Sequence, residues 1–171
     1  MSVDSTAYLM PSTAGEQQRL IRQAKFLRNP TERLLHAAGI AAGMRVLDVG
    51  CGVGDVSLLA ATLVGTAGSV LGVDHDEACL ATARARAAAL GLGNVSFVAG
   101  DLRDSVVGRD VDAVVGRLIL THLPDPVATL REAAAAVRPG GLIRFHEPIS
   151  TRGPPNRATR TAGRTVHHLD L

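Results

Sequence analysis

The sequence is poor in aromatic residues and in cysteine, and each shortage excludes a class of site. Its 171 residues include no Trp, one Tyr and three Phe, so it lacks the aromatic platforms on which single-stranded bases stack. The two cysteines, Cys51 and Cys79, show no metal-ligand spacing and fall inside predicted elements. We therefore expect small buried side chains there, with no disulfide framework and no metal site.

Strong net charge and long apolar runs are missing as well. The formal net charge of +2 is too small to indicate nucleic-acid binding. No run approaches the roughly 18 apolar residues of a membrane span, and the N-terminus lacks the basic start and apolar core of a secretion signal. We therefore expect a single cytoplasmic domain with neither a nucleic-acid nor a membrane partner.

What the sequence does contain is a glycine-rich stretch, VLDVGCGVGDVS, at residues 46–57. Its apolar start predicts a buried strand, and Gly50, Gly52 and Gly54 permit the positive φ or close backbone approach of a ligand-binding turn. Asp55 precedes apolar residues at helical spacing and is predicted to cap that helix.

The glycine spacing also separates this turn from the dinucleotide-binding turn. The spacing here is G-x-G-x-G, whereas the dinucleotide fingerprint is G-x-G-x-x-G, and Asp55 stands where its last glycine would be. A carboxylate there would repel a pyrophosphate that needs the helix N-terminus. The turn therefore favours a nucleoside that carries no phosphate.

Strands and helices are predicted to alternate after this turn. Further strands are expected at residues 69–74, 95–100, 111–118 and 142–145, and helices at 77–90 and 126–137. This alternation is typical of βαβ units in a parallel sheet, with ligands bound at the carboxyl ends of the strands. Before the glycine stretch, the pattern predicts two helices, one over residues 16–27 and one from Thr31, as N-cap, to about Gly39.

At these residues the sequence resembles the class I S-adenosylmethionine-dependent methyltransferases, in the small-molecule group that includes the ubiquinone/menaquinone-type enzymes. The resemblance covers roughly residues 14–149 and implies an α/β, Rossmann-like doubly wound parallel sheet. It also implies S-adenosyl-L-methionine as cofactor, a small-molecule methyl acceptor and N-terminal helices that cover the cofactor. The expected organisation is a flexible N-terminus (1–13), a helical cap (14–43), the cofactor-binding domain (44–149) and a disordered or aberrant basic tail (150–171).

The resemblance assigns cofactor contacts to residues at the strand ends. Asp48 would organise the glycine turn near the methionine end, and Asp74, twenty positions after Gly54, would accept hydrogen bonds from ribose hydroxyls. Asp101 would meet the adenine amino group, and Leu102 the ring. The full expected set is Asp48, Gly50, Cys51, Gly52, Gly54, Asp74, His75, Asp101, Leu102 and Arg117.

Methyl transfer from a sulfonium is an in-line displacement on an activated group, so alignment and exclusion of water supply most of the acceleration. A general base is needed only if the acceptor must lose a proton. His122, His146 and Glu147 are the titratable residues near the predicted strand ends. Each also fits a structural or solvated position, so the sequence names no base.

Two alternatives remain open. From Ser150 the chain loses apolar periodicity, and the C-terminal strands usual in such enzymes have no residues to form them, which favours a truncated or frame-shifted chain. A truncated cofactor-binding remnant would lack activity and would expose the edge formed by Leu142, Ile143 and Phe145 to self-association. An NAD-dependent oxidoreductase shares the fold but is disfavoured by the glycine spacing.

Overall fold

The computed structural model describes residues 13–102 and 110–147. The first half of the domain contains α1 (Ala14–Ala37), β1 (Arg45–Val49), α2 (Asp55–Val64), β2 (Ser69–Asp74) and α3 (Glu77–Ala89). The second half contains β3 (Val95–Ala99), β4 (Val111–Arg117), a 3-10 turn (Leu120–His122), α4 (Pro126–Ala136) and β5 (Val137–His146). The strands and helices after the glycine turn thus lie where the sequence predicts them, to within a residue except at β5.

The strands of the described part form one parallel sheet in the order β3-β2-β1-β4-β5. The chain moves outward from β1 to β3 and then returns to the other side of β1 as β4. Strand order therefore reverses between β1 and β4, the point at which doubly wound sheets bind ligands. The predicted Rossmann-like fold is confirmed.

Helices cover both faces of the sheet, so the central strands are buried on both sides. On one face, α1 and α2 pack on Val46, Val70 and Val115. On the other face, Leu47, Val73 and Val114 pack with the alanines of α4. The sheet is thus a rigid platform that holds its carboxyl-end turns in place.

The N-terminal region forms one helix, so the prediction of two helices is wrong. Helix α1 runs from Ala14 to Ala37 with Pro30 inside it, although an internal proline costs about 3 kcal/mol in a helix. Thr31, the predicted N-cap, is 2% exposed and Leu35 is buried beside it. Packing of this face against the sheet domain offsets the cost of Pro30, so the helix continues past the proline.

Strand β5 starts earlier than predicted. Val137 pairs with Val111 and Leu142 pairs with Ala113, so residues 138–141 bulge out of the ladder between two paired positions. Gly140 has a φ of +75° in this bulge, which glycine adopts without strain. The prediction that Pro139 and Gly140 end the helix is wrong, because the helix ends at Ala136 and Pro139 and Gly140 lie within β5.

Two predicted regions lie outside the described residues, namely the flexible N-terminus before residue 13 and the basic tail from residue 150. Within residues 13–102 and 110–147, no helix combines the length and the apolar character needed to cross a membrane.

Candidate functional site

The three glycines after β1 all adopt positive φ, but for different reasons. Gly50 and Gly54 have φ of +66° and +84°, and a Cβ on either would collide with protein: with Ile119 at 2.5 Å, and with Ala83 at 3.0 Å. Gly52 has a φ of +52°, and a Cβ built there meets nothing within 4 Å. Of the three, Gly52 is the one that borders open space.

Asp74 holds the glycine turn in place. Its Oδ2 accepts a hydrogen bond from the Gly52 amide at 2.8 Å, and its Oδ1 accepts one from the Asp76 amide at 3.0 Å. The carboxylate is partly exposed at the end of β2, so it retains acceptor capacity for a ligand. Asp76 in turn caps α3 by accepting from the Ala78 and Cys79 amides, as the sequence predicted.

A cleft of about 390 Å³, including its open mouth, lies at the carboxyl ends of β1, β2 and β3, beside the turn that follows β4. The cleft is lined by Val49, Gly50, Val73, Asp74, His75, Gly100, Asp101, Leu102, Ile119, Leu123, Thr129 and Glu132. The structure therefore brings together five of the predicted residues: Gly50, Asp74, His75, Asp101 and Leu102.

The polar and apolar parts of this lining come from different segments. Asp74, His75 and Asp101 follow β2 and β3, and the His75 Nε2 lies 3.3 Å from the Asp101 Oδ1. Leu102 is buried and joins Ile119 and Leu123 in an apolar wall. The arrangement suits a ligand with a hydroxylated part and a flat apolar part.

Asp48 lies beneath the glycine turn and does not line the cleft. It is 1% exposed, and its Oδ2 accepts a hydrogen bond from the Ser57 hydroxyl at 2.5 Å. Burial raises the pKa of Asp48 to about 7, while the Ser57 hydrogen bond and the nearby Arg117 act in the opposite direction. Its Oδ1 is buried with no hydrogen-bond partner among the described residues.

Arg117 ends β4, and its side chain does not line the cleft either. Its Nη1 donates to the Thr31 hydroxyl of α1 at 3.0 Å, and its Nη2 lies 3.6 Å from the Asp55 Oδ2. The prediction that Asp55 caps α2 is wrong, because Gly54 occupies the N-cap position. Asp55 is instead the first residue of the helix, where Arg86 and Arg117 neutralise it.

Both cysteines are buried, as predicted. Cys51 packs among Leu80, Ala83 and Phe97, and burial raises the pKa of its thiol. Its side chain does not line the cleft. Within the described ranges, no group of three or more His, Cys, Asp or Glu side chains is placed to hold a metal ion.

The three base candidates lie away from the cleft lining. His122 is exposed at the end of the 3-10 turn. The Glu147 Oε1 accepts hydrogen bonds from the Ile119 and Leu120 amides at 2.8 and 3.0 Å, so Glu147 fixes the turn after β4. The His146 Nδ1 and the Glu147 Oε2 are buried without a partner in the described part of the chain.

Sequence reasoning missed the outer wall of the cleft. Thr129 and Glu132 of α4, together with Ile119 and Leu123 before it, line the cleft opposite Asp74. The spacing of Thr129 and Glu132 by three residues places both on one face of α4. That spacing was a usable signal, but only the fold shows that this face meets the cleft.

Comparison with known proteins supports the family resemblance that the sequence shows. Residues 40–163 match the family described as "Methyltransferase domain". The arsenite methyltransferase of Aquipseudomonas alcaligenes is 36% identical over 126 residues, which cover 69% of this chain and 36% of that protein. This chain belongs to the class I S-adenosylmethionine-dependent methyltransferases.

Other relatives of this methyltransferase domain act on different molecules. The demethylmenaquinone methyltransferase of Staphylococcus aureus is 31% identical, over 66% of this chain and 46% of that protein. A SAM-dependent methyltransferase from Aquifex aeolicus, whose crystal structure is known, shares 26% sequence identity with this chain. The two structures superpose with a TM-score of 0.62 over 73% of this chain and 69% of that chain. The chain spans between about a third and just over half of the length of the curated relatives it matches.

The residues at the cleft fit the family's cofactor, S-adenosylmethionine. A nucleoside can approach the open space at Gly52 and reach the Asp74 carboxylate at the cleft wall. Asp55 with its two arginines occupies the helix N-terminus that a dinucleotide's pyrophosphate would need.

Proposed function

We propose that this chain transfers the methyl group of S-adenosylmethionine to a small organic molecule by in-line displacement. The observation that carries the proposal is the cleft at the strand-order reversal, with the Asp74 carboxylate anchored on the Gly52 amide at its wall. The family comparison supports the reaction type. The cytoplasmic location expected from the sequence belongs to the same proposal.

Each part of the cofactor has a proposed partner at the site. Asp74 accepts hydrogen bonds from the ribose hydroxyls, which are worth about 1.5–3 kcal/mol each for a charged acceptor. Leu102 packs against the adenine, while Asp101 accepts from its amino group and His75 flanks it.

Gly50, Gly52 and Gly54 shape the turn that receives the methionine part, and Asp48 lies beneath it. Cys51 and Arg117, which the sequence also predicted as contacts, support this turn from the interior.

Bound S-adenosylmethionine supplies a methyl group already activated by its sulfonium. The protein therefore needs no nucleophile of its own, and its residues act by orientation and exclusion of water. Ile119, Leu123 and Leu102 close the apolar side of the cleft, and Asp74 fixes the sugar.

An organic acceptor is favoured over arsenite. Trivalent arsenic is a soft centre that thiolates bind well, but Cys51 and Cys79 are both buried. Burial also raises the thiol pKa of Cys51 and disfavours its thiolate. The curated relatives whose names give organic acceptors, such as demethylmenaquinone, support this choice.

Equilibrium dialysis tests the proposal against the dehydrogenase alternative. The protein is expected to retain S-adenosylmethionine and its demethylated product at micromolar concentrations and to leave NADH equally distributed across the membrane. Retention of NADH, with no retention of S-adenosylmethionine, would contradict the proposal.

A second candidate is a cofactor-binding domain without transferase activity that associates with a second copy. It is favoured by one observation, which is that β5 pairs only with β4 among the described strands. A strand with a free edge invites pairing with a second copy. This candidate predicts self-association at tens of micromolar, whereas a monomer by light scattering at that concentration counts against it.

A further inference from the structure

Four polar contacts connect the N-terminal helix to the glycine turn through the interior. Thr31 of α1 accepts from the Arg117 Nη1 at 3.0 Å, and the Arg117 Nη2 lies 3.6 Å from the Asp55 Oδ2. The Asp55 Oδ1 accepts from the Arg86 Nη2 at 2.6 Å. The Arg86 Nη1 donates at 2.5 Å to the carbonyl of Val53, which lies between Gly52 and Gly54. We refer to Thr31, Arg117, Asp55 and Arg86 as the relay.

Three of the four relay residues are shielded from solvent, whereas the side chain of Arg86 is 30% exposed. Thr31 is 2% exposed, and the side chains of Arg117 and Asp55 are 10% and 13% exposed. Solvent screening is weak at such positions, and a charge that loses its partner there is costly. Displacement of one member therefore affects the next.

Among the side chains of α1 that the structure describes, the buried ones lie near its C-terminal end. Among its described side chains, Thr31 and Leu35 are buried, whereas Leu20, Ile21 and Leu27 are only partly covered. Near its start, the helix is held on α3 by a 2.7 Å hydrogen bond between Gln17 and Thr82. Helix α1 thus bridges α3 and the end of β4.

We propose that Arg117 and Asp55 are positioning residues that couple the docking of α1 to the geometry of the glycine turn, and so to cofactor affinity. The effect on affinity rests on the function proposed above. Neither side chain lines the cleft, so each acts through the Val53 carbonyl and the turn around it. Because coupling is reciprocal, a cofactor that orders the turn also strengthens the docking of α1.

Thr31→Val tests this coupling because it removes the hydroxyl that Arg117 contacts. Valine has nearly the same shape as threonine, so the packing around residue 31 changes little. The control is Thr62→Val, at an exposed position where the Thr62 hydroxyl donates to the Leu58 carbonyl within α2. Thr31→Ser keeps the hydroxyl and is expected to behave as the wild type. Arg117→Lys, which keeps the charge but loses the two-sided contact, provides a second variant should Thr31→Val fail to fold.

Hydrogen exchange of the cofactor-free protein is the first readout. The amides of residues 50, 51, 52 and 54 are hydrogen-bonded within the turn or to β2, so their exchange reports its order. In Thr31→Val we expect three- to tenfold faster exchange at these amides, although residue 31 lies in another element. If the turn amides of Thr31→Val exchanged no faster than those of Thr62→Val, the proposed coupling would be wrong.

Titration with S-adenosylmethionine is the second readout. We expect three- to tenfold weaker binding in Thr31→Val, and no change in Thr62→Val or Thr31→Ser. Unchanged affinity in a Thr31→Val protein with a loosened turn would overturn the link to the cofactor. Faster turn exchange in Thr31→Val, together with a wild type that binds no S-adenosylmethionine, would support the coupling of α1 to the turn and contradict the proposed function.

Discussion

At the residue scale, the glycines of the turn have different surroundings. Gly50 borders the Ile119 side chain, while Gly52 borders open space. A substitution at the first position therefore meets protein, and a substitution at the second meets whatever occupies the site.

Gly50→Ala and Gly52→Ala are expected to differ in stability. Both place alanine at positive φ, which costs about 1–2 kcal/mol. Gly50→Ala adds a Cβ 2.5 Å from Ile119, and overpacking costs a further 1–3 kcal/mol or so. Denaturant unfolding of both variants measures the difference, and equal losses would contradict it.

Asp48 is expected to make stability depend on pH. Its pKa rises from 3.8 to about 7 because the carboxyl is buried, so between these values the native state holds a proton that the unfolded state releases. Unfolding free energy therefore falls as pH rises through this window, by about 4 kcal/mol in total.

Asp48→Asn removes this titration. The variant is expected to gain stability relative to the wild type between pH 4 and pH 7, with no further change above that window. Denaturant unfolding of both proteins across the pH range measures the difference. A constant difference would show that Asp48 is ionised in the native state throughout.

At the element scale, helix starts depend on which side chain reaches the first amides. Asp76 caps α3 with its own carboxylate, whereas Asp55 turns away from the start of α2 towards two arginines. Both residues follow a strand and precede apolar helical positions, so the sequence pattern alone treats them alike.

Asp76→Ala is expected to lower the free energy of unfolding by about 1 kcal/mol, because the Ala78 and Cys79 amides lose their acceptor. Asp76→Asn keeps a capping oxygen and provides the control. Thermal unfolding of the two variants measures the effect, and equal stability of Asp76→Ala and the wild type would contradict the assignment of the cap.

The elements show how far local pattern determines this fold. Strands β2 to β4 and helices α3 and α4 were predictable because alternation, apolar runs and glycine turns act over a few residues. The continuity of α1 through Pro30 was not, because it depends on Thr31 packing beside Arg117, 86 positions away in the chain. The role of Asp55 could not be predicted either, because its partners come from α3 and β4.

At the scale of the whole molecule, the sheet gathers separate strand ends into one site. Asp74 and Asp101 were predictable as site residues because parallel strands end at the same edge of a sheet. Thr129 and Glu132 were not, because only the packing of α4 brings them to the cleft. We propose that this cleft binds S-adenosylmethionine through Asp74.

Isothermal titration of S-adenosylmethionine and its demethylated product into the wild type and Asp74→Ala tests that claim most directly. Micromolar binding by the wild type, weakened at least tenfold in an Asp74→Ala protein that remains folded, is the expected result. Loss of one charged acceptor costs about 1.5–3 kcal/mol, which sets this lower limit. A folded wild type that binds neither compound, or an Asp74→Ala variant that binds them equally well, would contradict the account.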